Sequence, residues 1–244
     1  MRMKVRSRHR DDRDNVQDLF PFRAQARMAS LTIENYVKAI YKLGGPQGDR
    51  SAATGAVAEE LRVSPGTVTS MLKTLSEGGL AEYVPYEGAR LTEQGKVLAL
   101  RVVRRHRLIE LFLVQTLGLS WDEVHEEAEN MEHAVSDLLI DRIDAFLGRP
   151  AHDPHGDPIP KADGTVAAPN GRALSELVAG DKFKLVRVTD QSADFLRYLN
   201  DLGLQIGSEG ELLSSRREAG VVTFQVRGEK TTVARAVADK LLVI

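Results

Sequence analysis

The sequence predicts a mainly α protein with a small β part. The expected layout is an N-terminal winged helix-turn-helix, a helical middle domain and a small C-terminal β-barrel. Three observations predict it. Helical periodicity runs through three short segments and then gives way to a hairpin pattern. Two longer segments carry wide apolar faces. From Arg172 onward the pattern alternates in short strand-like pieces.

The first module starts at LTIENYVKAIYKLGG, which spaces Ile33, Tyr36, Val37, Ile40, Tyr41 and Leu43 helically before Gly44-Gly45. ATGAVAEELRV gives a second, short helix with Val57, Ala58 and Leu61 on its face. In VSPGTVTSMLKTLSEGGL, Ser64 is an N-cap, Pro65 suits the first helical position, and Val68, Met71, Leu72 and Leu75 form the apolar stripe. AEYVPYEGARLTEQG then reads as strand, Glu-Gly turn and strand. The third helix would enter a DNA major groove. Its Ser64, Pro65, Thr67, Thr69 and Ser70 are small and polar, suited to phosphates, base edges and thymine methyls, while Lys73 and the wing's Arg90 would meet phosphate.

LTEQGKVLALRVVRRHRLIELFLVQTLGL reads as one long helix capped near Thr92. Val102, Ile109, Leu111, Phe112 and Val114 cover more than one face, which suggests burial against its own domain and against a partner subunit. SWDEVHEEAENMEHAVSDLLIDRIDAFLG reads as the next helix, capped by Ser120. The Pro- and Gly-rich AHDPHGDPIPKADGTVAAPNG reads as a surface crossing followed by a linker. FKLVRV, EGELLSS, VVTFQVRG and KLLVI are strands of a small barrel, with one helix in SADFLRYLNDLG. Residues 1–29 are polar and aperiodic and read as a poorly ordered arm, with room for a short helix at its end.

Composition narrows the chemistry. The 244 residues are 42% hydrophobic and 28% charged, ordinary for a soluble globular protein. There is no secretory signal and no apolar run long enough for a bilayer, so no membrane partner is expected. The absence of cysteine excludes disulfides and thiolate metal sites and fits the cytoplasm. Residues 30–115 hold eleven Lys/Arg against nine Asp/Glu. Residues 118–163 hold three against twelve, together with four of the six histidines. A mildly basic module therefore precedes a strongly acidic one.

VHEEAENMEH puts His125, Glu129, Glu132 and His133 on one helical stripe, and RRHRLIEL puts His106 and Glu110 four apart. Two adjacent antiparallel helices would aim all six at one space. Three imidazoles and three carboxylates without sulfur suit Mn²⁺ or Fe²⁺, and Zn²⁺ would bind them too. Enzymatic rivals fail on spacing. A zincin needs His-Glu-x-x-His, but Glu129 stands four after His125. A di-iron bundle needs Glu-x-x-His, but Asn130 and Val103 stand three before His133 and His106. No phosphate-cradling glycine loop occurs, and no enzyme activity is expected.

ENYVKAIYKL, LSEGGL, LTEQGK, RRHRLIE, VHEEAENMEH and GDPIP, in this order, resemble the diphtheria toxin repressor/manganese repressor family. The resemblance implies a homodimeric, metal-activated repressor that binds a near-palindromic double-stranded operator. It implies an arm (1–29), a winged helix-turn-helix (30–92), a helical dimerisation and metal-binding domain (93–160), a linker (161–171) and an SH3-like domain (172–244). Glu129, Glu132 and His133 match family metal ligands; His106, Glu110 and His125 match those of a second site. Asn35 stands at the first-helix ligand position, and Lys38 stands where manganese-only relatives have glutamate. Gln191 and Asp194 fall near further ligands contributed by the C-terminal domain. Mn²⁺ is the expected cofactor, with Fe²⁺ the next candidate and Zn²⁺ or Co²⁺ as substitutes in vitro. The alternatives are an iron-responsive repressor of the same family and a metal-independent winged-helix regulator.

Overall fold

The structure is a computed structural model that describes residues 19–45, 48–168 and 170–244, with side chains from Leu31 onward. α1 (Leu19–Leu43) is one continuous helix, so Leu19–Ser30 extend the first helix of the DNA-binding module instead of forming a separate arm. Pro21 is tolerated there because the first turn has no intrahelical amide partners to lose, and the segment is rich in good helix formers. The rest of the expected arm, residues 1–18, lies outside the described residues.

α2 (Thr54–Glu60), α3 (Pro65–Glu77), β1 (Ala81–Val84) and β2 (Gly88–Leu91) complete the winged helix-turn-helix. Ser64 caps α3 through its side chain, which accepts from the Thr67 amide at 3.2 Å. The hairpin pairs Ala81 with Leu91 and Val84 with Gly88. Gly88 has φ +96, and a Cβ there would collide with the Ala52 carbonyl. Tyr36, Val37, Ile40, Val57, Val68, Leu72, Leu75 and Leu91 form the core.

α4 (Glu93–Phe112), capped by Thr92, leaves this module and enters the next. It ends in a π-helical turn at Leu113–Leu117, closed by left-handed Gly118. The single helix expected after Ser120 is two: α5 (Val124–Met131) and α6 (Asp137–Phe146). The break has a physical cause. Ser136 is an internal N-cap whose hydroxyl takes the Leu139 amide at 3.3 Å, restarting the helix. Ser120 does not cap α5 directly; its amide and hydroxyl both bond Glu123, in a turn ahead of the helix. Leu108, Ile109, Val124, Ala128, Ile140 and Ile143 fill this domain's core.

The C-terminal domain is a six-stranded antiparallel, SH3-like sheet in the order β3-β8-β4-β5-β6-β7. Its strands are β3 (Arg172–Ala173), β4 (Lys182–Val188), β5 (Glu209–Arg216), β6 (Val221–Val226), β7 (Glu229–Ala234) and β8 (Leu241–Val243). α7 (Ala193–Asp201) follows β4 and α8 (Arg235–Ala238) precedes β8. Trp121, from the helical domain, sits in this domain's core with Phe183, Leu196, Leu199 and Phe224. The segment read as a surface crossing is instead largely buried from Asp153 to Pro160, because it is held between α4 and the barrel. No helix among the described residues is long and apolar enough to cross a membrane.

Candidate metal centre

The helical period sets the centre's first pair. His106 and Glu110 are one turn apart on α4, and their Nε2 and Oε1 lie 2.9 Å apart. α5 packs antiparallel through Val124 and Ala128, both fully buried, and brings His125 and Glu129 to the same place. Glu132 and His133 follow the last turn of α5, and Glu132 is completely buried. α1 closes the space with Glu34, Asn35 and Lys38.

Three groupings result. In the first, His125 Nδ1 stands 3.1 Å from His106 Nε2 and 3.2 Å from Glu110 Oε1. A cation bonding at about 2.0–2.2 Å holds its ligands roughly 3 Å apart, so these donors fit one divalent ion with little movement. In the second, the Lys38 ammonium donates to Glu129 Oε1 at 2.6 Å and to both Glu132 oxygens at 2.9 and 2.8 Å, and lies 3.2 Å from His106 Nδ1. In the third, His133 Nε2 is 2.7 Å from Asn35 Oδ1 and 3.3 Å from Glu132 Oε1, while its Nδ1 is 2.7 Å from Glu34 Oε2. Glu132 belongs to both of the last two.

Charge ties the groupings together. Burial alone would lower the His106 pKa, but the Glu110 carboxylate and a hydrogen bond to Glu132 raise it to about 9. Burial would raise Glu110, yet the charge of His106 and hydrogen bonds to His106 and His125 hold it well below the usual carboxylate range. Glu129 likewise stays low against burial because Lys38 sits beside it. In a water-poor site these carboxylates need cations, and here the protein's own groups supply them.

Gln191 and Asp194 line one cleft of about 1180 Å³ with Asn35, Lys38, His125 and Glu129. Their side chains are otherwise engaged, Gln191 with Asp157 at 3.0 Å and Asp194 with Arg197 at 2.6 Å. On the DNA-binding module, Ser64, Pro65, Thr67, Ser70, Lys73 and Arg90 are exposed on α3 and the wing. Thr69 is half-buried, its hydroxyl donating to the Pro65 carbonyl at 2.9 Å. Sequence reasoning missed Glu34, whose Oε2 lies 2.7 Å from His133 Nδ1. Glu34 was findable, since it precedes Asn35 and lies one turn from Lys38 on the same helix.

Comparison with known proteins completes the picture. Residues 28–89 match the iron dependent repressor N-terminal DNA binding domain, and residues 92–161 match the iron dependent repressor metal binding and dimerisation domain. Residues 172–244 match the FeoA domain. The iron-dependent repressor IdeR of Mycobacterium tuberculosis is 32% identical over 198 residues, covering 78% of this chain and 80% of its own. A solved manganese-dependent transcriptional repressor in complex with manganese superposes with a TM-score of 0.79 at 39% identity, over 87% of this chain and 99% of that one. ScaR with bound Zn²⁺ gives 0.73 at 33%, over 87% and 98%. This chain belongs to the diphtheria toxin repressor/manganese repressor family of metal-dependent transcriptional repressors.

Proposed function

We propose that the chain is a manganese-responsive repressor that binds a near-palindromic operator as a homodimer in the cytoplasm. One observation carries the metal assignment: every donor in the centre is imidazole nitrogen, carboxylate or amide oxygen, in a chain without cysteine. Oxygen-rich sites with some imidazole suit Mn²⁺, then Fe²⁺, and accept Zn²⁺ or Co²⁺ in vitro. His106, Glu110 and His125 would hold one ion. Asn35, Glu129, Glu132 and His133 would hold another. A bound divalent cation supplies positive charge where these carboxylates converge.

The residues of this chain do the coupling. Asn35 and Lys38 ride on α1, whose Tyr36, Val37 and Ile40 are in the core beneath the recognition helix. Glu129, Glu132 and His133 belong to the helical domain. Bonds across this seam therefore fix how the recognition helix is presented to DNA. DNA binding measured against Mn²⁺, Fe²⁺, Zn²⁺ and Co²⁺ at matched free concentrations tests the reading. Mn²⁺ should activate operator binding fully, although Zn²⁺ and Co²⁺, which stand above it in the general affinity order for such ligands, should load at lower free concentrations. Affinity that ignores every ion would sink it.

Replacing Thr67 or Ser70 by alanine should change sequence preference. Lys73→Ala or Arg90→Ala should weaken all sequences alike and reduce the salt slope by about one. Titrations on operator variants at several salt concentrations separate the two classes. Uniform weakening by Thr67→Ala would assign that residue to phosphate.

The dimer reading rests on α6, where Leu138, Leu139 and Phe146 are 69%, 48% and 70% exposed and share one face. Leu138→Glu combined with Phe146→Asp should shift sedimentation from dimer to monomer at micromolar concentration. An unchanged dimer would place the interface elsewhere.

A further inference from the structure

We propose that Glu110, Asp153 and His155 form a separate, buried divalent-cation site that locks the helical domain to the C-terminal barrel. Their donor atoms lie within 4.8 Å of one another. Glu110 is 1%, Asp153 5% and His155 0% exposed. This site is not the first grouping described above, which uses Glu110 Oε1. Here the donor is Glu110 Oε2, on the other side of the carboxylate, with both partners drawn from the loop after α6.

Two observations point to a ligand. First, Glu110 Oε2 and His155 Nδ1 are buried polar atoms without a hydrogen-bond partner, and they stand 3.8 Å apart. His155 Nε2 lies 2.8 Å from the Trp121 carbonyl, which only accepts, so Nε2 carries the proton. In the neutral ring Nδ1 is then a bare lone pair. Two lone pairs facing each other in a site closed to water cost stability unless something between them accepts both.

Second, the three groups are already oriented as ligands. A metal-bound histidine typically donates its other N–H to a carbonyl or carboxylate, which fixes tautomer and ring angle. Asp153 Oδ1 accepts the backbone amides of His155 and Asp157, each at 2.9 Å, which fixes that carboxylate too. Its Oδ2 has only the Arg107 Nε, at 3.5 Å. Two carboxylate oxygens and one imidazole suit a small divalent transition ion such as Zn²⁺ or Mn²⁺.

The location gives the consequence. The His155 carbonyl accepts the Val188 amide at 3.0 Å, joining the loop to β4. Asp157 pairs with Arg107 of α4 and with Arg187 of β4. Gly156, at φ +86, lies so close to Val186 that a Cβ would strike its carbonyl. Trp121 orients His155 through its carbonyl, stacks near it at 6.1 Å between ring centroids, and donates Nε1 to Asn200 of α7 at 2.9 Å. An ion bound by Glu110 of α4 and by this loop would brace the whole junction.

Trp121 is the chain's sole tryptophan, so its fluorescence reports on this junction. The full-length protein is loaded with Zn²⁺ or with Mn²⁺ and gel-filtered, and metal per chain is measured by mass spectrometry. Asp153→Asn keeps the Oδ1 acceptor for the two amides but removes the charge. It should hold one equivalent less than wild type. His125→Ala, which disables the neighbouring grouping, should keep that equivalent, with a Zn²⁺-dependent change in Trp121 fluorescence that Asp153→Asn lacks. Should Asp153→Asn fail to fold by circular dichroism, His155→Gln, which can still donate to the Trp121 carbonyl, replaces it. Equal stoichiometry and coincident fluorescence titrations in wild type and the folded variant would overturn the proposal. Such a result would leave the repressor reading standing, because that reading depends on the donors on the far side of Glu110.

Discussion

Replacing Lys38 by methionine should destabilise the metal-free protein by about 1–3 kcal/mol, the cost of removing one charged partner from a buried carboxylate that keeps its bond to His106. The largest share comes from Glu132, which is fully buried and gives both oxygens to the ammonium. Glu129, 39% exposed, contributes less because water screens it. The same substitution should strengthen Mn²⁺ binding. In the wild type the ammonium sits amid three candidate donor groups, so an ion taking them must first displace a tethered competitor. With methionine there, the carboxylates are free to bind. Stabilisation by ligand follows RT ln(1 + [L]/Kd), so the variant should regain more stability from saturating Mn²⁺ than the wild type does. Urea unfolding with and without Mn²⁺ measures both effects. A metal-free variant as stable as wild type, with unchanged Mn²⁺ affinity, would mean the ammonium contacts are incidental.

Lys38 also marks how far the sequence could be read. Local rules carried the elements well: Ser64 and Thr92 are side-chain caps, β4 alternates exposed and buried residues from Lys182 to Leu185, and β6 runs buried through Val222–Phe224. The i,i+4 rule set His106 beside Glu110 without any knowledge of the fold. What it could not supply was the partner of Glu132, since Lys38 lies ninety-four positions away and only the packing of α1 against the helical domain joins them. The Ser136 restart was hidden because apolar periodicity continues across it. The Asp153–Pro160 loop was misread for a related reason. Proline and glycine report backbone conformation, whereas burial comes from what docks on the loop, here α4 and β4. Asp153 illustrates the consequence. Burial, with the Glu110 and Asp157 charges nearby, pushes its pKa up to about 7, which no local pattern announces.

The largest functional effect is expected from Glu132→Gln. Glu132 touches Lys38, His106 and His133, so it is the one carboxylate common to the α1 side, the α4 side and the loop after α5. Glutamine keeps the shape and removes the charge. Mn²⁺ affinity should fall by at least about 100-fold, beyond the 10–100-fold typical of groups that only support a ligand. Saturating Mn²⁺ should then no longer raise the unfolding midpoint, and operator binding in Mn²⁺ should drop to the metal-free level. Glu126→Gln, exposed on α5, is the control and should change none of these. Asn35→Ala separates binding from coupling. Its amide reaches His133 from the DNA-binding module, so its loss should weaken Mn²⁺ modestly while cutting the metal dependence of operator binding. Because linkage is reciprocal, operator DNA should tighten Mn²⁺ binding in the wild type and much less in Asn35→Ala. Calorimetric Mn²⁺ titrations with and without operator decide the matter. Equal tightening in both proteins would move the coupling from Asn35 to Glu34 and Lys38, the other α1 residues that reach the centre.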